Sequence, residues 1–109
     1  MILKKVDQKR MLVLSKGSRL VLLTCEPYRV STHPAPRQAC AELEAAGGDP
    51  AEIEPDPLIR CTMDYKPVNA AAVGIWDGRM IRYRHTFGNA CMMRLSTRSL
   101  FSFEPVPPR

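Results

Sequence analysis

Five segments of the chain carry the apolar, branched patterns that are typical of β-strands. Asp77 and Gly78 separate the third segment from the fourth, and this dipeptide is the strongest short hairpin signal in the sequence. Residues 15–18 separate the first two segments and also suit a hairpin loop. The pattern therefore predicts two antiparallel hairpins and a last strand, over residues 11–14, 20–24, 68–76, 79–87 and 99–103.

The predicted strand over 79–87 alternates with a period of two, so its side chains fall on two different faces. The face expected to be apolar and to join the core carries Ile81, Tyr83, His85 and Phe87. The opposite, basic face carries Met80, Arg82, Arg84 and Thr86. Trp76, across the hairpin, is also interpreted as a core residue, and Met92 with Met93 are expected to fill gaps beneath the last strand.

One long helix is predicted over residues 37–46. Pro36 suits the first helical turn, good helix formers follow it, and Gly47 with Gly48 form a stop signal. Cys40 lies three residues before Leu43, so both should share the face that docks on the sheet. With a short helical turn over 89–97, the elements predict an α+β fold.

The remaining segments are expected to lie outside the core. Residues 49–57 form a proline-rich, acidic connector, and residues 60–68 follow as a surface loop. The chain has 109 residues, which is the size of one domain. We expect residues 1–10 to be a flexible N-terminal segment and residues 104–109 a loose C-terminal tail.

Charge and hydropathy argue against two classes of partner. The formal net charge is +5, but the basic residues are spread along the chain. The nearest approach to a cluster is Lys4, Lys5, Lys9 and Arg10, which includes Asp7 and no aromatic residue. No run approaches the about 20 apolar residues of a membrane span. We therefore predict no nucleic-acid partner and no membrane insertion.

Four cysteines, at positions 25, 40, 61 and 91, suggest either disulfides or a metal site. No CxxC pair occurs, so zinc would need ligands from four separate places in the fold. Disulfides are the better interpretation, and no metal or other cofactor is predicted. Four cysteines allow three connectivities, which the residues by themselves leave open.

Disulfides imply an oxidising compartment, and hence a secreted protein. No signal peptide is visible, because Lys4 and Lys5 follow the first three residues and no continuous apolar region or cleavage site is present. We expect the sequence to be a mature or recombinant form, or to start downstream of the native start.

The sequence contains no recognisable catalytic motif. His33 lies in an irregular stretch and His85 in a predicted strand, and neither has an evident carboxylate orienter with a serine nucleophile. There is also no glycine-rich phosphate loop and no paired-carboxylate motif. We predict that the protein is not an enzyme.

Met63 has no evident place in the predicted core. It stands two residues after Cys61 in the surface loop. It could be tucked under the loop as a packing residue, or it could be held out for the apolar specificity pocket of a protease.

Several motifs resemble the bacterial subtilisin inhibitor family typified by the Streptomyces inhibitor. They comprise Cys25, the Ser31-Thr32-His33-Pro34-Ala35-Pro36 stretch, Cys40 to Leu43, Gly47-Gly48-Asp49, Cys61-x-Met63-x-Tyr65-x-Pro67-Val68, Gly74-Ile75-Trp76-x-Gly78-Arg79, Phe87-x-Asn89-x-Cys91 and the ending Ser99 to Phe103. The resemblance covers residues 11–103. It implies an α+β fold with a five-stranded antiparallel sheet, one main and one short helix, disulfides Cys25–Cys40 and Cys61–Cys91, and a homodimer formed through the sheet.

The resemblance also implies a function and a site. The chain would inhibit subtilisin-like serine proteases, with Met63–Asp64 as the reactive bond. Arg60, Cys61, Thr62, Tyr65 and Lys66 would form the rest of the protease-contact loop. Asp64 and Thr62 depart from the family pattern, which often has a small or apolar residue and a proline there. A second hypothesis is therefore a non-inhibitory binding module or a protease substrate on the same scaffold, whose loop function Asp64 weakens.

Overall fold

The computed structural model describes residues 10–25 and 30–103, so the N-terminal segment over 1–9 and the tail over 104–109 lie outside the described residues. The fold is α+β, as predicted. Its elements, in chain order, are β1 (Arg10–Lys16), β2 (Arg19–Thr24), α1 (Pro36–Ala45), a 3-10 turn (Pro50–Glu52), β3 (Val68–Trp76), β4 (Arg79–Phe87) and α2 (Ala90–Thr97).

The strands form an antiparallel sheet in the order β2-β1-β3-β4. Both predicted hairpins are present, and the second turns at Asp77 and Gly78, whose φ values are 51° and 85°. Two consecutive positive φ values are what a tight hairpin turn requires, and glycine meets that requirement without steric cost. β1 begins at Arg10, inside the segment predicted to be flexible, because Arg10 pairs with Trp76 and binds Asp77 through its guanidinium.

The predicted five-stranded sheet is wrong: within residues 10–25 and 30–103 the sheet has four strands. The segment 99–103 forms a turn after α2, in which Leu100 N–H donates to the Thr97 carbonyl and Ser102 N–H to the Ser99 carbonyl. Leu100, Phe101 and Phe103 are buried. Their apolar pattern therefore reflects a cover over the core and not pairing with a strand.

The core lies between one face of the sheet and the two helices. Cys40 and Leu43 of α1 are buried against it, as predicted, and so is Met93 of α2. The sheet contributes alternate residues of each strand, among them Leu12, Leu14, Leu23, Ala72, Trp76, Ile81 and Phe87. The opposite face of the sheet is open and carries exposed apolar side chains, among them Val13, Leu20, Val73, Ile75 and Met80.

Two side chains assigned to the core lie outside it. His85 is exposed, because it belongs to an edge strand, and its ring packs beside Phe87 at 4.3 Å between centroids. Met92 is 37% exposed, since it precedes the buried Met93 by one residue and so points about 100° away around the helix. Tyr83 is half-buried and stacks on Phe101 at a centroid distance of 6.0 Å.

Gly48 lies directly against Trp76 after the end of α1. Its φ is +89°, and its N–H closes the helix by donating to the Leu43 carbonyl at 2.8 Å. A Cβ at this position would overlap the indole ring. The glycine stop signal in the sequence therefore also allows the backbone to pack closely on the largest side chain of the sheet.

Candidate functional site

Residues 54–67, here called the anchored loop, run without helix or strand from the 3-10 turn to β3. Met63 lies in the middle of residues 60–66, the protease-contact loop predicted from the sequence, and its side chain is 93% exposed. It is therefore not tucked under the loop. Arg60, Thr62, Asp64, Tyr65 and Lys66 are exposed as well, whereas Cys61 is half-buried.

A disulfide joins the anchored loop to α2. Cys61 pairs with Cys91 at a Cα–Cα distance of 5.7 Å, and Cys25 pairs with Cys40 at 5.8 Å. The structure thus selects one of three connectivities, the one that the resemblance implied. The first bridge fixes α1 to the end of β2, and the second fixes the backbone two residues before Met63.

Asn89 contributes a second attachment, and its role was missed from the sequence. As the N-cap of α2, it accepts a hydrogen bond from the Met92 N–H through Oδ1 at 2.8 Å. Its Nδ2 donates to the carbonyl oxygens of Thr62, at 3.3 Å, and of Asp64, at 2.7 Å. One buried side chain therefore holds the backbone on both sides of Met63.

Three further contacts attach the ends of the anchored loop to α2 and its flanks. Lys66 N–H donates to the Gly88 carbonyl at 2.8 Å, and Asp56 N–H donates to the Leu95 carbonyl at 2.8 Å. The Arg98 guanidinium donates to the carbonyls at 54 and 55, at 2.8 and 3.1 Å. Because these contacts run along the whole length of α2, the helix acts as a support for the loop.

Asn89 could have been suspected from the sequence, whereas Arg98 gave no signal. An asparagine just before a helical stretch is a common N-cap, and a disulfide at Cys91 would bring that cap close to Cys61. Arg98 ends α2 with a positive φ of +52°, which is unusual for a residue with a side chain. Nothing local in the sequence predicts that conformation.

The two histidines weighed as catalytic residues have other roles. His33 is buried, with Nε2 2.8 Å from the Leu100 carbonyl and Nδ1 accepting from the Ala35 N–H at 3.0 Å. Burial lowers the pKa of the His33 imidazole, so the neutral ring is favoured. Among residues 10–25 and 30–103, no three His, Cys, Asp or Glu side chains converge in a way that could hold a metal ion.

Comparison with known proteins agrees with this arrangement. The family model described as subtilisin inhibitor-like matches residues 6–89. The chain is 45% identical over 85 residues to subtilisin inhibitor-like protein 3 of Streptomyces coelicolor, covering 78% of this chain and 79% of that protein. It is 44% identical over 85 residues to a subtilase-type protease inhibitor of Streptomyces coelicolor, of which it covers 59%.

A solved structure is also similar. It is that of Streptomyces caespitosus sermetstatin in complex with Bacillus licheniformis subtilisin. The TM-score is 0.64 at 33% sequence identity, and the match covers 85% of this chain and 96% of that one. The chain belongs to the subtilisin inhibitor-like family.

Proposed function

We propose that this protein inhibits subtilisin-like serine proteases by presenting the anchored loop as a substrate, with Met63–Asp64 as the reactive bond. Met63 carries the proposal. Its side chain is 93% exposed, although a disulfide and the Asn89 side chain immobilise the backbone on either side of it. Leu58 of the same loop is also exposed, so exposure alone does not distinguish Met63. What distinguishes Met63 is that the backbone on both sides of it is fixed, which suits presentation of its side chain to a pocket.

The relatives support the same function. One is named a subtilase-type protease inhibitor and another a subtilisin inhibitor-like protein, and sermetstatin was crystallised in complex with a subtilisin. The family is one of inhibitors and not of enzymes, which agrees with the lack of a recognisable catalytic arrangement in the sequence.

Binding would use the backbone of residues 60–66 as an added strand in the protease cleft. The Met63 thioether would fill a pocket for large apolar side chains. Arg60, Cys61, Thr62, Tyr65 and Lys66 would contact the protease on either side. Ordering a free residue costs about 1–2 kcal/mol, and the attachments to α2 remove most of that cost before binding.

Slow turnover follows from the same attachments. Hydrolysis would add water across the Met63–Asp64 bond, leaving a carboxylate on Met63 and an amine on Asp64. The Cys61–Cys91 bridge holds the first new end near α2, and Asn89 holds the Asp64 carbonyl on the other side. In the acyl-enzyme that precedes this product, the protease serine is joined to the Met63 carbonyl carbon and the Asp64 amine has been released. The attachments keep that amine beside the acyl group, so that religation, which expels the serine, competes with hydrolysis.

Titration of a subtilisin with the purified chain tests this function. We expect protease activity to fall in proportion to the chain added until a stoichiometric complex is formed, with cleavage after Met63 slow and incomplete. Undiminished activity at micromolar chain would overturn the proposal. Rapid, complete cleavage after Met63 without a stable complex would favour the alternative, a substrate or binding module on the same scaffold.

A homodimer is proposed on separate grounds. Val13 and Val73 are paired neighbours on the open face of the sheet, and with Ile75 and Met80 they form an exposed apolar surface. Val73→Lys should convert a dimer into a monomer in light scattering, without changing the inhibition constant. A wild-type monomer at micromolar concentration would contradict the dimer.

The bounds of the inhibitor domain and the compartment of the protein are also proposals. The sequence predicted an inhibitor domain over residues 11–103, and since Arg10 belongs to β1 we place its start at residue 10, with 1–9 and 104–109 outside it. The two disulfides accord with secretion into an oxidising compartment. Within the part of the chain that the structure describes, no helix is both long and apolar enough to cross a bilayer.

A further inference from the structure

Thr62 and Asp64 contact each other across Met63. The Thr62 hydroxyl donates a hydrogen bond to Asp64 Oδ2 at 3.1 Å. Side chains two residues apart lie on the same side of an extended backbone, so this pair can meet while the Met63 side chain points elsewhere.

We infer that the Thr62–Asp64 hydrogen bond is a brace that positions the reactive bond, and that Asp64 strengthens inhibition instead of weakening it. The inference rests on the proposed function, because it assigns roles to residues of the same loop. Both are positioning residues: their side chains bind each other and thereby fix the backbone that presents Met63.

The brace complements the contacts of Asn89. Asn89 Nδ2 holds the backbone carbonyls of Thr62 and Asp64, while the brace joins the side chains of the same two residues. Thr62 lies before the Met63–Asp64 bond and Asp64 after it. Once that bond is hydrolysed, the brace connects the two new chain ends directly, which should favour religation over separation.

The brace should be stronger in the complex than in the free chain. Both side chains are exposed, and an exposed hydrogen bond contributes little because water competes for both partners. A bound protease would exclude that water, and the lower local dielectric would strengthen the bond. The hydroxyl would also provide a partner for a carboxylate that would otherwise be buried unpaired.

A double-mutant cycle on inhibition of subtilisin tests the brace. Thr62→Val and Asp64→Ala each remove one partner, and the double variant removes both. We expect each single variant to raise the inhibition constant about 3- to 10-fold, as for one hydrogen bond, and the double variant to match the single ones. The fraction of cleaved chain at equilibrium should rise in the same three variants. Thr62→Ser keeps the hydroxyl and should restore most of the inhibition that Thr62→Val loses.

Thr86→Val is the matched control. The Thr86 hydroxyl also donates to a side chain, Asn69 Oδ1 at 2.7 Å, but on the sheet. Its removal should leave inhibition unchanged. Single effects that multiply in the double variant, or an Asp64→Ala variant that inhibits more tightly than wild type, would overturn the brace.

Side-chain scalar couplings of the free chain separate this inference from the proposed function. Thr62 and Asp64 should each occupy one χ1 rotamer in the wild type, and each should average over rotamers when its partner is removed. Averaged couplings in the wild type would overturn the brace even if the chain inhibits subtilisin. Fixed couplings in a chain that does not inhibit would support the hydrogen bond and overturn the proposed function.

Discussion

The side-chain amide of Asn89 donates a hydrogen bond of 2.7 Å to the backbone carbonyl of Asp64, a residue 25 positions earlier in the chain. The same amide group reaches the Thr62 carbonyl, and its oxygen caps α2. One residue therefore links the start of a helix to the backbone around Met63. The helix depends on the Oδ1 atom of this side chain, and the loop depends on its Nδ2 atom.

Substitution of Asn89 should separate those two roles. Asn89→Asp keeps an acceptor oxygen as the helix cap but loses both N–H donors to the loop, so we expect inhibition to weaken about 10-fold or more with little change in melting temperature. Asn89→Ala should weaken inhibition and also destabilise the fold by about 1 kcal/mol. Inhibition constants and thermal unfolding measure the two effects. An Asn89→Asp variant that inhibits like the wild type would contradict the role of the amide.

Removing either disulfide should have similar effects on stability but different effects on function. The bridges close loops with sequence separations of 15 and 30, for which chain entropy predicts losses of about 3 and about 3.6 kcal/mol. Cys61→Ser with Cys91→Ser should also weaken inhibition strongly, since the backbone near Met63 loses its covalent attachment. Cys25→Ser with Cys40→Ser is the control. It should lower the free energy of unfolding while leaving inhibition intact at temperatures where the fold persists.

Met63→Lys should redirect the inhibitor toward trypsin-like proteases. Their specificity pocket carries a carboxylate, which would pair with the introduced ammonium group. We expect trypsin inhibition to appear and subtilisin inhibition to weaken, as measured by titration of both enzymes. Met80→Lys makes the same change at a 62% exposed position on the open sheet face and should alter neither. Equal effects of the two substitutions would argue against Met63 as the specificity residue.

Arg98→Gly should destabilise the fold less than Arg98→Ala. Its positive φ favours glycine, whereas alanine at this position pays the steric cost without making the contacts of the guanidinium. We expect Arg98→Gly to be more stable than Arg98→Ala by about 1 kcal/mol. Both variants lose the hydrogen bonds to the carbonyls at 54 and 55. Amide exchange at Asp56 should therefore be faster in both, and unchanged exchange would contradict the anchoring role.

Stability should fall as the pH drops below about 6.5, the ordinary pKa of histidine. Burial lowers the pKa of His33 in the folded chain, so between that lowered pKa and the ordinary one the unfolded chain binds more protons than the folded chain. The free energy of unfolding should consequently rise with pH across this window. His33→Gln keeps a donor for the Leu100 carbonyl but does not titrate. In thermal unfolding between about pH 5 and 7.5, the range over which histidine changes charge, the stability of this variant should therefore depend less on pH than that of the wild type.

Local signals predicted most of the fold. Asp77-Gly78 located a hairpin because its turn geometry depends on those two residues, and Pro36 with Gly47 and Gly48 bounded α1 for the same kind of reason. The strand predicted over 99–103 was wrong because alternating phenylalanines indicate burial but do not specify what the backbone pairs with. Here the backbone pairs with the end of α2.

For the candidate site too, the sequence predicted the conspicuous residue but not the long-range contacts that support it. Met63 was conspicuous in the sequence because an apolar residue followed a cysteine in a polar loop, and the structure places it in the open. The contacts of Asn89 and Arg98 span 25 and 44 residues, so no local pattern reveals them. The hydrogen bond from Thr62 to Asp64 is local, but hydroxyl and carboxylate side chains two residues apart are too common in loops to be informative by themselves.

Apart from the disulfide, the contacts that attach the loop to α2 bind main-chain atoms of the loop: carbonyls at 54, 55, 62 and 64 and amides at 56 and 66. Every residue except proline, which lacks the N–H, offers the same main-chain donor and acceptor. The side chains of Arg60, Met63 and Tyr65 can therefore be exchanged without disturbing the support beneath them. A scaffold built in this way can be retargeted from one protease to another by a few surface substitutions, in evolution as well as in the laboratory.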